Sequence, residues 1–278
     1  MKWALIFLSI LLVGCTVPPA PSAPVPSLDA PISAAHCFLA ARYSPAYKLL
    51  QESPIVAPNR YWLATDNRLA VYALRAVEDD VHAAALAVSI AAHGGRRHGL
   101  IEALTGENIQ WPPRTETQAE VDGTIWNEHR FTGARYEDWR EYADLALFAA
   151  LDAHNEGNDQ QAVTRYRQAL KLFNGIGFAD KPYTSTVGHG LYTTYKLALA
   201  LHVAAQIKEP PDSRLLPALL GKQDESGGFV TLYDASGTPQ GDASTETTSY
   251  AILGLTAIAH YSDSTPPSAI SDRCAWPE

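Results

Sequence analysis

From Tyr61 onward the chain is a succession of Ala- and Leu-rich segments of helical period, broken by Gly, Pro and Asp/Asn, and this rhythm restricts the fold more than any motif does. The spacing predicts helices over residues 60–77, 80–93, 136–155, 159–174, 190–207, 213–222 and 245–261. Short connections between several of them imply antiparallel helical hairpins. Between Ile109 and Thr132 the pattern changes to "IQWPPRTETQAEVDGTIWNEHRF", with two prolines and a central Asp122-Gly123. That stretch predicts a long loop carrying a β-hairpin over one end of the helical body. A second short hairpin is expected in "FVTLYDASGTPQGD", turning at Ser236-Gly237 ahead of the helix that starts near Ser244.

The N-terminus has a different character. Lys2, an apolar run from Trp3 to Val13, and then Gly14 and Cys15 have the layout of a secretory leader, too short to span a bilayer comfortably. "TVPPAPSAPVPSLDAP" follows, and prolines every two or three residues predict an extended, disordered spacer. The expected organisation is a leader at 1–15, a Pro-rich linker at 16–32 and one folded domain at 33–278. Acidic residues exceed basic ones by nine, and the basic ones are scattered, which argues against nucleic acid and against a polybasic contact with anionic lipid. Cys37 and Cys274 either close a disulfide between the two ends of the domain or are buried apart as free thiols. Neither arrangement makes a Cys-x-x-Cys pair or a zinc cage, and no cofactor is implied.

Three segments carry candidate chemistry. In "RYWLATDNRLAVYALRA" helical spacing sets Asp66 and Asn67 within or beside the apolar stripe, near Trp62, where an ionised carboxylate is unfavourable unless paired or wet. The functional reading puts Asp66, Asn67 and Trp62 in a ligand pit; the structural one makes Asp66 a backbone clamp. Glu246, in "STETTSY", is either a favourable charge in a first helical turn behind Ser244 or the second acid of a glycosidase pair with Asp66. "GIGFADKPYTSTVGHGLYTTYKLAL" offers Asp180, Tyr183, His189 and Tyr195, as ligand contacts or as a plain helix connection. His93 and His98 flank a turn and do not form a helical zinc pair, so no metal site is expected.

Several of these stretches resemble known families. "LLVGC" resembles the lipobox of bacterial lipoproteins, which implies cleavage before Cys15 and its acylation. Gln223, Gly227 and Phe229 in "GKQDESGGF" resemble the Gln-x-x-x-Gly-x-aromatic connector of terpenoid cyclases and related toroids. "ESPIVAPNRYWLATDNRLAVYAL", "FNGIGFAD" and "YTTYKLALAL" are similar to uncharacterised prokaryotic proteins. Together they imply an all-α fold, an α/α toroid (an incomplete barrel of antiparallel helical hairpins) of the six-hairpin glycosidase-like kind. The Asp-x-Asp-Asp, Asp-Asp-x-x-Asp and Cys-Gly-Glu-Gln motifs are missing, so cyclase and thioester chemistry are not implied. The expected function is a membrane-anchored extracytoplasmic lipoprotein that binds a carbohydrate or envelope polymer in a central pit. The alternatives are a glycoside hydrolase or polysaccharide lyase, and a structural envelope protein.

Overall fold

The Pro-rich stretch gives way to helix earlier than residue 32: α1 spans Asp29–Ala41 in the computed structural model, which describes residues 27–186, 188–261 and 274–277. Pro31 is tolerated because it falls in the first turn, where backbone N–H groups have no helical partner anyway. α1 buries Ile32, Ala35, Phe38 and Leu39. On the same helix, Cys37 is bonded to Cys274 with Cα atoms 5.1 Å apart, closing a sequence separation of 237. A loop of that length corresponds to about 5 kcal/mol of lost unfolded-state entropy.

The expected all-α toroid is not the fold. The chain is a mixed structure, 47% helical and 14% strand, with three small sheets. Strands β1 (Tyr43–Ser44) and β2 (Leu49–Leu50) pair antiparallel, and β3 (Tyr61–Trp62) follows. A π-helical turn, Leu63–Asn67, leads into α2 (Arg68–Ala76) and then α3 (Asp80–Ala92). β4 (Thr117–Asp122) and β5 (Ile125–His129) form the hairpin around Gly123, and β5 also pairs in parallel with β3. Several of these strands are only two residues long, so no period-2 pattern can be read from them.

The second half is more helical. α4 (Ala143–Asn155) and α5 (Asp159–Leu170) form a hairpin, with Asn158 accepting the Gln161 N–H as an N-cap. A short α6 (Lys181–Thr184) and β6 (Tyr192–Thr193) precede α7 (Tyr195–Gln206) and α8 (Leu215–Leu220). β7 (Val230–Tyr233) and β8 (Pro239–Ala243) complete a β6-β7-β8 sheet, and α9 (Thr245–Tyr261) crosses the core. α7 and α9 are buried along most of their lengths, and Gly254 brings them together: a Cβ there would lie 2.5 Å from the Ala198 carbonyl oxygen.

"GKQDESGGF" is a connector seated on α1. The Gln223 amide donates to the carbonyls of Pro31 (2.8 Å) and Gly227 (2.9 Å), and Phe229 is fully buried. Gly227 has φ +86°, and a Cβ on it would sit 2.4 Å from the Ala34 carbonyl oxygen. Gly227→Val therefore combines left-handed strain with a backbone clash and should lower stability by about 3 kcal/mol. The check is a urea melt: the midpoint should fall, and an unchanged midpoint would mean that α1 does not rest on this connector.

Candidate functional site

The chain is held in an unusual turn where β3 enters α2. Asn67 fixes that turn: its Oδ1 accepts the Leu50 N–H (2.7 Å), and its amide donates to the carbonyls of Trp62 (2.7 Å) and Leu50 (3.2 Å). These bonds tie β2 to β3 and hold the π-helical turn, a distortion that recurs at functional sites. The parallel register sets Trp62 opposite Trp126, with ring centroids 5.7 Å apart. Glu128, two residues beyond Trp126 on the same strand face, accepts hydrogen bonds from both the backbone N–H and the hydroxyl of Thr65.

Further acids gather around this turn. Trp62 Nε1 donates to Glu52 Oε2 (2.7 Å), and the Arg60 guanidinium lies 5.5 Å from the centroids of both indoles. The start of α9 is bonded to the same segment, Thr245 N–H to the Glu52 carbonyl (2.7 Å), while Ser244 Oγ accepts from Thr247 N–H (3.2 Å) as the helix cap. Glu246 is consequently held in the first turn of α9 beside Glu52. On the far side, Glu116 accepts from Gln118 (3.1 Å) and from Arg130 (3.2 Å), and His98 Nε2 approaches to 3.8 Å.

Desolvation and like charge act together here. Burial, followed by the charges of Glu52, Glu246 and Glu128, pushes the Asp66 carboxyl well above its usual range. Burial raises Glu128 to about 7 against the donors of Thr65. Glu246 rises to about 8 through burial and then Glu116, Glu52 and Glu128, with Arg130 opposing. Glu116 goes the other way: burial would raise it, but the facing His98, Gln118 and Arg130 hold it at about 2. At neutral pH an ionised Glu116 thus shares the recess with a protonated Glu246. Asp66 Oδ2 and Glu128 Oε2 are buried without a hydrogen-bond partner.

The surface above these groups has two depressions. An outer cleft of about 350 Å³ is lined by Glu52, Ala57, Asn59, Arg60 and Trp126 among others. An inner recess of about 40 Å³ is lined by Thr65, His98, Glu116, Asp144, Tyr195 and Glu246, with Arg130, Tyr250 and the apolar Leu100, Ile101 and Phe148. Tyr195 donates to Asp144 Oδ2 (2.8 Å) and stacks on Tyr250 at 5.2 Å.

Of the residues singled out in the sequence, Tyr195 and Glu246 line the recess, Trp62 is bonded to Glu52 of the cleft, and Asp66 is buried near them and lines neither cavity. Asn67 does not serve a ligand, because its amide is consumed by backbone groups and it is fully buried. Asp180 is a buried structural acid, paired with Lys196 Nζ (2.7 Å) and accepting the Ala143 N–H (2.9 Å). Tyr183 stacks on Tyr192 at 4.4 Å, His189 sits in a loop at φ +49°, and neither lines the cleft or the recess. Cys15 lies outside the described residues. Among the described residues no three His, Cys, Asp or Glu side chains are arranged to hold a metal ion.

Glu52, His98, Glu116, Trp126, Glu128 and Arg130 are additions from the structure. Part of that set had a sequence signal: in "IWNEHR" the residues Trp126, Glu128 and Arg130 alternate, which sets them on one face of a strand. Glu52 and Glu116 had none, since both lie just outside regular elements.

Raised carboxyls make a prediction about stability. Between pH 4.5, the ordinary value, and about 8, the folded chain binds protons at Glu246 that the unfolded chain has released. Stability from this group is thus complete below pH 4.5 and is lost as pH rises to about 8. Glu246→Gln should raise the melting temperature at pH 8 and have little effect at pH 4.5; a pH-independent change in the melts would contradict the protonated assignment. No protein-family model matches the chain, and no curated protein or solved structure is significantly similar to it, so a functional reading rests on this geometry.

Proposed function

We propose that this chain is an extracytoplasmic, lipid-anchored protein that binds a carbohydrate or envelope polymer in the cleft lined by Glu52, Arg60 and Trp126. The observation that carries the reading is Trp126 on the wall of a cleft that also holds the Glu52 carboxylate, the Arg60 guanidinium and Asn59, with Trp62 packed against it. Sugar rings offer apolar C–H faces to stack on indole and hydroxyls to exchange hydrogen bonds with such polar groups. The excess of carboxylates also disfavours a polyuronate, and with it the lyase alternative.

A second reading has its own support. Glu246, protonated to about pH 8, and Glu116, ionised above about pH 2, line one recess. A proton donor beside an ionised carboxylate is the equipment of glycosidic hydrolysis. If oligosaccharides are cleaved, Glu246→Gln should abolish cleavage while retaining binding.

Titration of intrinsic tryptophan fluorescence with oligosaccharides is the primary test. Trp126→Ala should weaken binding by about 1 to 2 kcal/mol, roughly five- to thirtyfold, with the circular dichroism spectrum preserved. Full affinity in that variant would remove the cleft from consideration.

Anchoring is argued from the leader, Cys15 and the spacer, and the Cys37–Cys274 bridge suits an oxidising compartment. Among the described residues no helix is long and apolar enough to cross a membrane. Cys15→Ser should move the protein from the membrane to the soluble fraction on cell fractionation; a variant still bound to membranes would refute the lipid anchor.

A further inference from the structure

We infer that the outer face of α3 is the contact of a two-fold symmetric homodimer, in which two copies of this helix pack antiparallel about Val88. The dimer stands apart from the glycan and anchor readings and uses no residue of the cleft or the recess.

α3 has two apolar sides where a surface helix has one. Ala83, Leu86 and Ile90 point inward and are buried. Val81, Ala84, Ala85, Val88, Ala91 and Ala92 fall on the opposite side, within about 120° of one another at 3.6 residues per turn, and all six are exposed. Val81 is 77% exposed and Val88 70%. The polar side chains within this stretch, His82 and Ser89, are turned away from it. His82 is bonded to Asp79 (2.8 Å), and the buried Ser89 donates its hydroxyl to the Ala85 carbonyl (3.1 Å). A lone exposed valine needs no explanation, but a helix side with no polar group over three turns marks an interaction surface. The groove between α2 and α3, about 200 Å³ and walled by Val71, Tyr72, Ala87 and Ile90, continues that surface past Ala91.

The order of small residues and the placement of charge fit a second copy of the chain. With a two-fold axis at Val88, antiparallel packing sets Val88 against Val88, Ala84 against Ala92, Ala85 against Ala91 and Val81 against Gly95. Facing rows of alanine let two helices approach closely. Asp80, exposed where α3 begins, then meets Arg96 of the second copy, exposed just past the other end. Glu78 strengthens the negative end, and Arg68, whose guanidinium donates to the Arg96 carbonyl (3.1 Å), strengthens the positive one. Arg97 is already matched by Glu107 (2.7 Å). A parallel pair would instead set Asp80 beside Asp80 and Arg96 beside Arg96, which like-charge repulsion disfavours. A lipid surface fits less well, because the face offers no Trp, Phe or Leu for insertion and its acidic end opposes anionic headgroups. A contact of one helix and one groove belongs to the small, reversible class of interfaces.

Disulfide trapping in the full chain tests the dimer. Cys37 and Cys274 are bonded to each other, and the chain without an introduced cysteine controls for Cys15. Val88→Cys sits on the axis within reach of its own copy, whereas the two Val81 positions are about 21 Å apart at 1.5 Å rise per residue. Oxidation with copper phenanthroline should convert Val88→Cys to a covalent dimer on a non-reducing gel roughly tenfold faster than Val81→Cys, although both positions are open to solvent. Ala84→Cys and Ala92→Cys should cross-link when co-expressed and not singly. In the Val88→Cys chain, Asp80→Arg should slow trapping, and adding Arg96→Asp should restore it. Equal trapping at Val81 and Val88 would indicate random collision and overturn the dimer, as would no trapping at all. Absent trapping together with weaker binding of Val88→Asp to phosphatidylglycerol vesicles would overturn it in favour of a lipid contact.

Discussion

The amide of Asn67 holds the site in place. It bonds to both backbone groups of Leu50 and to the carbonyl of Trp62, joining two extended segments at the point where β3 turns into helix. A buried amide with every bond satisfied is rigid, and removing it would orphan three backbone groups at once. From this junction the parallel β3–β5 register follows, and with it the Trp62–Trp126 pair. Glu128 completes the arrangement by accepting from Thr65 at the open end of the π-helical turn.

Asp66 and Glu246 illustrate the opposite kind of interaction. Neither is stabilised where it stands: burial and neighbouring acids drive both carboxyls toward the neutral form. A structural carboxylate is normally matched, as Asp180 is by Lys196 and the Ala143 N–H. The contrast separates two classes of buried acid within one molecule. The matched class stabilises helix packing, whereas the unmatched class gathers around the π-helical turn and the start of α9, where burial and like charge favour protonation.

The rest of the molecule tolerates that unfavourable cluster because its core lies elsewhere. α7 and α9 meet closely at Gly254 and Ala198, and bury Leu, Ile and Val along their shared face. At about 1.5 to 3 kcal/mol for each fully buried large aliphatic side chain, a few such residues outweigh a local electrostatic penalty. The Cys37–Cys274 bridge adds a covalent restraint by fastening α1 to the end of the chain. The polar cluster is therefore carried at little risk to the fold.

Local rules carried the sequence a long way. Because each packs apolar residues that recur in the primary structure, helical period located α3 and α9 closely and placed α2, α4, α5, α7 and α8 inside longer spans. For α2, α4 and α7 those spans overran leads at 60–67, 136–142 and 190–194 that are not α-helix. Asp122-Gly123 and Ser236-Gly237 marked both hairpins, since only such residues suit their turns. Asp66 stood out as a polar interruption beside Trp62, and Glu246 as a carboxylate in a first helical turn. Tertiary structure decided the remainder. Two-residue strands have no periodicity to read, so the mixed architecture was hidden behind the helical rhythm. Asn67 and Asp180 resembled site residues because sequence shows a buried polar group but not its partner. Glu52, Glu116 and Glu128 reach Asp66 and Glu246 only through pairings far apart in the chain, and a carboxyl's protonation depends on who its neighbours are in space.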